Sequence, residues 1–212
     1  MPLTPQLSPE SRVSKDMEAI ASLEHDAQLM LRVADGDETS FALLLERHRA
    51  PVVHFLYRMV QNQAVSEELA QEVFLRVYRS RGSYQPTAKF TTWLFRIATH
   101  LALNSIRDRK KEKNHQSLDS TIDDGEGSTI ERLVADGLPT VEQEMCEAVR
   151  LKEVRSAIQT LPDKQRTAVF LHKYEGLGYT QISKVLECSE SATKSLLFRA
   201  YETLRARLAH MA

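Results

Sequence analysis

A chain of 212 residues with 28 Lys/Arg against 29 Asp/Glu and 42% hydrophobic residues has the length for one large or two small domains, each able to bury a core. No apolar run is long enough to cross a bilayer or to act as a secretory signal, so a soluble, cytoplasmic protein is expected. Cys146 and Cys188, the two cysteines, lack CxxC spacing and a His partner at metal spacing; neither a disulfide scaffold nor a metal site is indicated, and reduced, buried thiols are expected.

With 7 Gly, 7 Pro and no alternating Val/Ile/Thr run, strands have little support and an all-α fold follows. A Pro/Ser-rich leader reaches Ser14, and a weakly amphipathic helix over Lys15 to Ala34 ends at "DGD"; residues 1–34 read as an N-terminal extension. The first domain, residues 35–113, opens with Thr39 or Ser40 as the N-cap of "FALLLERHR". Pro51 has no N–H to donate, so a kink or restart is expected there before "VVHFLYRMV".

The next helix is expected over Ser66 to Arg79. At 100° per residue, Leu69, Ala70, Val73, Phe74 and Val77 form its core stripe, and Glu68, Gln71, Glu72, Leu75, Arg76 and Arg79 share the opposite face. Leu75 is the exception on that face. It reads equally as an ordinary exposed leucine or as the apolar centre of a polar-rimmed protein interface.

After the loop "SRGSYQPTAK", a helix over Lys89 to Lys111 carries Phe90, Trp93, Leu94, Ile97, Ala98 and Leu101 on one stripe. Lys89, Thr92, Arg96, Thr99, His100 and Arg107 lie on the other side, and no acidic residue falls between Lys89 and Arg107. A merely solvated face usually mixes both signs, so a surface that tracks phosphate explains this one better. Tyr84, in the loop before it, is a candidate exposed aromatic for stacking on an unpaired base.

The near-neutral total charge hides a basic, acidic, basic order. Arg107, Arg109, Lys110, Lys111 and Lys113 form a cluster; then Asp119, Asp123, Asp124, Glu126, Glu131, Asp136, Glu142, Glu144 and Glu147 face Arg132 alone; and from Arg150 onward eleven Lys/Arg stand against six Asp/Glu. Residues 114–140, polar, acidic and glycine-containing, read as a flexible linker, and residues 141–212 as a second helical domain.

In that domain Pro162 opens a helix that Gly176 and Gly178 close. Thr180 is placed to cap a short helix over Gln181 to Leu186, "ECS" turns the chain, and Ser189 caps a longer helix to about Leu208. Two helices joined by a tight turn, the second longer and basic, make a helix-turn-helix pattern. Its last helix turns Thr193, Leu197, Ala200, Tyr201, Leu204 and Leu208 inward and Ser191, Lys194, Ser195, Phe198, Arg199 and Glu202 outward, a face suited to base edges and phosphates in a major groove.

"EELAQEVFLRVYR", "KFTTWLFRIATHLALNSIR" and "YTQISKVLECSESATKSLLFRAYETLR" resemble, in that order, the core-polymerase-binding, minus-ten and minus-thirty-five segments of the sigma-70 family of bacterial transcription initiation factors. The likeness is to its small two-domain extracytoplasmic-function (ECF) type and covers about Phe41 to Leu208 apart from the linker.

The resemblance implies that Glu68, Gln71, Glu72, Leu75 and Arg76 meet the coiled-coil clamp of the polymerase large subunit. It implies that the loop from Tyr84 to Lys89 receives a flipped base while Thr92, Arg96 and His100 hold the melted strand, and that Lys194, Ser195, Phe198 and Arg199 read the upstream element as duplex. It further implies core RNA polymerase, promoter DNA and an anti-sigma factor, often membrane-bound, as partners, with no cofactor and no small-molecule substrate. His100 stands where the family commonly has Asn, and Leu196 where an Arg is frequent.

Two other classes are weaker. A stand-alone helix-turn-helix repressor or activator explains the second domain but gives no task to the Leu75 face or the Lys89–Arg107 helix. For an enzyme, His48 and His54 miss the HExxH spacing and there is no phosphate loop or nucleophile elbow.

Overall fold

The computed structural model describes residues 25–116 and 141–211, and among these every regular element is helical. Helix α1 covers residues 25–34. It is followed by α2 (Glu38–Val60), α3 (Gln63–Arg79), a short 3-10 turn (Arg81–Ser83) and α4 (Phe90–Gln116), then α5 (Val141–Gln159), α6 (Asp163–Lys173), α7 (Tyr179–Leu186) and α8 (Glu190–Arg207). The acidic linker and the proposed helix segment before residue 25 fall outside the described residues.

Helices α1 to α4 form one bundle. Leu44, Val52, Phe55, Leu56 and Met59 of α2 are buried together with Ala70, Val73, Phe74 and Val77 of α3 and Phe90, Leu94 and Ala98 of α4. The expected stripes of α3 and α4 thus supply the core, although Trp93 and Ile97 are only half-buried at its edge. Helix α1, read from sequence as an extension, also packs here through Leu29, Met30 and Val33. Its Asp26 accepts hydrogen bonds from Arg47 and is 2.9 Å from His48 Nε2. Burial pushes the Asp26 carboxyl up, but the hydrogen bond and charge of His48, with Arg47, outweigh it and hold the carboxyl below its usual range.

Two local expectations about α2 are corrected. Its N-cap is Asp37, whose carboxylate accepts from Thr39 N (2.9 Å), Ser40 N (3.2 Å) and Ser40 Oγ (2.7 Å), so Thr39 and Ser40 are the residues being capped. Nor does the helix restart at Pro51, since it runs unbroken from Glu38 to Val60. The lost bond and ring clash cost about 3 kcal/mol; burying Val52, Phe55, Leu56 and Met59 on the far side of that proline, at about 1.5–3 kcal/mol each, outweighs it.

The second bundle is α5 to α8, with Val169, Phe170, Leu171, Ile182, Val185, Leu197 and Ala200 at its centre. Helix α7 begins at Tyr179 rather than after a Thr180 cap. Gln181 makes the start possible by accepting the Gly178 N–H at 3.0 Å, while Thr180 Oγ1 donates to Glu190 at 2.8 Å. Ser189 caps α8 as expected, accepting from Ala192 N at 3.1 Å.

The bundles meet through α2 against α6 and α4 against α7. Thr167 Oγ1 lies 3.6 Å from Met59 Sδ, Gln159 Nε2 donates to Arg58 O at 3.3 Å, and Lys110 pairs with Asp163 at 2.9 Å. Part of the basic tail of α4 therefore has structural work: beyond Lys110, Arg109 donates to the Val60 carbonyl at 3.0 Å, satisfying an orphan acceptor at the end of α2.

Candidate polymerase and nucleic-acid interfaces

Asn62 starts α3 by accepting from Val65 N at 3.0 Å, and the buried stripe then sets which way the other face points. Glu68, Gln71, Leu75 and Arg76 are exposed, Leu75 at 49%, and Glu72 is half-exposed. Glu72 and Arg76 pair at 2.7 Å one turn apart, bracketing Leu75. The result is an apolar centre with a polar rim, lying on the outer side of its helix.

Lys89, just before α4, and Arg96 and His100 on it are exposed as read from the pattern. Thr92 is not. It is only 3% exposed, because α7 crosses here and Gln181 Nε2 donates to Thr92 Oγ1 at 3.3 Å. Arg96 Nε lies 3.0 Å from Glu187 Oε1, with Arg96 Nη2 on the same oxygen and His100 Nε2 at 3.7 Å. The cationic face expected to hold a strand is thus engaged by a carboxylate of the second bundle.

Tyr84 departs from expectation in the same sense as Thr92. Its ring turns inward, 4.9 Å from Trp93 and 6.4 Å from Phe90, and its hydroxyl is buried with no hydrogen-bond partner among the described residues. Burial, with the charge of Asp26, pushes that hydroxyl above its ordinary pKa. Tilted and edge-to-face packing against Trp93 and Phe90 outweighs exposure of the ring in this arrangement. Trp93, tilted between Tyr84 and Phe90, is a scaffold residue of the loop–helix junction.

The turn between α7 and α8 is made by Glu187, at φ 52 in the left-handed region, followed by Cys188 and Ser189. Cys188 is half-buried, with Sγ 3.3 Å from Thr193 Oγ1. Beyond the turn, Ser191, Lys194, Ser195, Phe198 and Arg199 are all exposed, Phe198 at 68%. Lys194 reaches back to Glu190 at 3.0 Å, and its hydrogen bond, with that of Thr180, holds the Glu190 carboxyl below the usual range. Leu196, by contrast, is half-buried against the core, which is why an apolar residue suits that position.

Gln181, Glu187, Arg58 and Glu175 were not singled out from sequence. Each acts across the interface between bundles, and a helical pattern reports only the faces of its own helix.

An apolar-centred face on one helical bundle and an exposed basic recognition helix on a second define a two-module helix-turn-helix protein. The sigma-70 region 2 family model matches residues 44–112 and the sigma-70 region 4 model residues 151–204. The RNA polymerase sigma-H factor of Pseudomonas aeruginosa is 32% identical over 85% of this chain and 92% of its own length. The ECF RNA polymerase sigma factor SigW of Bacillus subtilis is 32% identical over 84% and 93%.

Among solved structures, CnrH in complex with the cytosolic domain of CnrY shares the fold with a TM-score of 0.64 at 19% identity, over 88% of this chain and 99% of that one. The sigma factor RpoE of Bartonella quintana, solved with the anti-sigma factor NepR, does so at 0.61 and 19%, over 80% and 96%. The chain belongs to the sigma-70 family, within its ECF type. No helix among the described residues is long and apolar enough to cross a membrane.

Proposed function

We propose that the protein joins core RNA polymerase in the cytoplasm and directs it to a set of promoters, reading the upstream element as duplex through α8 and the downstream element as melted strand through α4 and the Tyr84 loop. The carrying observation is that two faces of different chemistry, Leu75 with Glu72 and Arg76 on α3 and Phe198 with Lys194 and Arg199 on α8, are both left uncovered by the fold. The first suits a protein partner and the second a DNA groove. The bundle of α1 to α4 and the bundle of α5 to α8 act as the two modules, joined by the acidic linker.

On this reading the protein supplies binding, and polymerase supplies the chemistry. Holding an extruded base offsets part of an unpairing cost of a few kcal/mol. An anti-sigma protein, soluble or carried at the inner membrane, is the expected inhibitor; the complexes with CnrY and NepR support this, since those partners sit on proteins of the same fold.

The decisive assay is transcription from a genomic promoter library with core polymerase and purified protein. Promoter-specific transcripts that need both are expected; tight, polymerase-independent operator binding without such transcripts would sink the proposal. Within that assay, Leu75→Asp should lower affinity for core polymerase at least about tenfold. Its thermal stability should stay within about 0.5 kcal/mol of wild type, because Leu75 is on the surface. Arg199→Ala should reduce the slope of log affinity against log salt for upstream duplex by about one, as for a lost phosphate contact.

A further inference from the structure

We infer that Glu187 acts as an intramolecular stand-in for a DNA phosphate: in the free protein the turn of the helix-turn-helix closes onto α4 and occupies the groups that hold the melted strand. This rests on the strand-holding role proposed for Thr92, Arg96 and His100, and adds that the second module regulates access to it.

Three contacts converge on that face. Glu187 Oε1 accepts from Arg96 at 3.0 Å through Nε, with Nη2 on the same oxygen, and lies 3.7 Å from His100 Nε2. Gln181, on the helix that Glu187 ends, donates to Thr92 Oγ1 at 3.3 Å and leaves Thr92 buried. One anionic oxygen bound by a guanidinium and approached by an imidazole is the arrangement a phosphate oxygen would take. A strand lying along α4 and α7 in its present place cannot both use these groups.

The carboxylate reaches Arg96 from a backbone that Glu does not favour. Glu187 is one of two non-glycine residues with positive φ among the described residues, at a helix end where Gly or Asn fits best. Local propensity therefore does not explain a glutamate here, whereas the contact across the bundles does. The Arg96 and Glu187 side chains are about half-exposed, so the pair is a weak, salt-sensitive latch that a strand presented by polymerase can displace.

The test uses the full chain with Glu187→Gln and, separately, Glu187→Asn; Asn tolerates left-handed backbone, so folding is not at stake. Binding of a single-stranded oligonucleotide carrying the non-template downstream element is measured at low salt, alongside small-angle scattering of the free protein. Both variants should bind about 1.5- to fivefold more tightly than wild type, the range expected for one exposed ion pair. Both should show a larger radius of gyration.

Tighter binding without any change in scattering would overturn the latch, since the carboxylate would then act only by repelling the strand; unchanged binding and unchanged scattering would overturn it as well. The strand-holding role is judged separately, by adding core polymerase. If the wild-type holoenzyme captures the strand while the free variants behave as wild type, the latch alone fails. If no form captures it even with polymerase, the underlying role fails and the latch with it.

Discussion

Phe90→Ala should destabilise the first bundle by about 3–5 kcal/mol, the cost of emptying a large aromatic site in a packed core. Phe90 is fully buried at the first position of α4, with ring centroids 5.3 Å from His48, 5.9 Å from Trp93 and 6.4 Å from Tyr84. Against a total stability of about 5–15 kcal/mol this is a large fraction. The melting temperature should fall by about 10 °C or more.

Trp93 is the only tryptophan, so its emission reports the same event: loss of the Phe90 ring opens it to water and should shift emission to the red while the variant is still folded. Phe90→Leu, which keeps most of the volume, should cost less than half as much. A wild-type melting temperature and unchanged emission in Phe90→Ala would show that this junction is not packed as described. Below its melting temperature the variant should also lose strand capture, because Tyr84 and Trp93 lose the ring that orients the loop.

The second large effect is a pH dependence centred on Glu175. Its side chain is 8% exposed, 3.5 Å from Arg58 Nη1, and Arg58 itself lies 4.1 Å above the Tyr174 ring. Burial pushes the Glu175 carboxyl up from 4.5 to about 7, and the Arg58 charge only partly offsets this. Between those two values the unfolded chain has released the proton and the folded chain still holds it. The folded state binds more protons in that window, so stability falls as pH rises through it, and the loss is complete above about 7.

A shift of that size corresponds to about 3 kcal/mol. Glu175→Gln, neutral and nearly isosteric, should remove the dependence and should be more stable than wild type at pH 8 by somewhat less, since the Arg58 attraction is lost too. Parallel denaturation curves at pH 5 and pH 8 measure it. Equal stability of wild type at both pH values, after subtraction of the Glu175→Gln curves, would contradict the buried carboxyl. Because Arg58 belongs to α2 and Glu175 follows α6, the same titration should loosen the junction between bundles as pH rises.

Most of the local architecture was legible in the residues. Valine, leucine and phenylalanine at spacings of three and four in "EELAQEVFLRVYR" committed one face of α3 to the core and left Leu75 outside, and Ser189 before "ESATKSLLFRAYETLR" marked where the recognition helix begins. These properties depend on residues within a few turns of one another, so a linear pattern carries them. Three such segments in one order also sufficed to recognise the family.

Tertiary structure decided the rest. Helix α4 is buried on two sides: Phe90, Leu94 and Ala98 within its own bundle, and Thr92 where α7 crosses. A period of 3.6 identifies one apolar stripe, but a threonine takes water or a glutamine as its partner with equal chemical ease, and only the position of Gln181, 89 residues away, settles which. The same holds for Tyr84, whose ring is amphipathic and found an aromatic pocket, and for Glu175, whose titration is set by burial between bundles. Sequence determined which faces each helix possesses; distance in space determined which of them remain free.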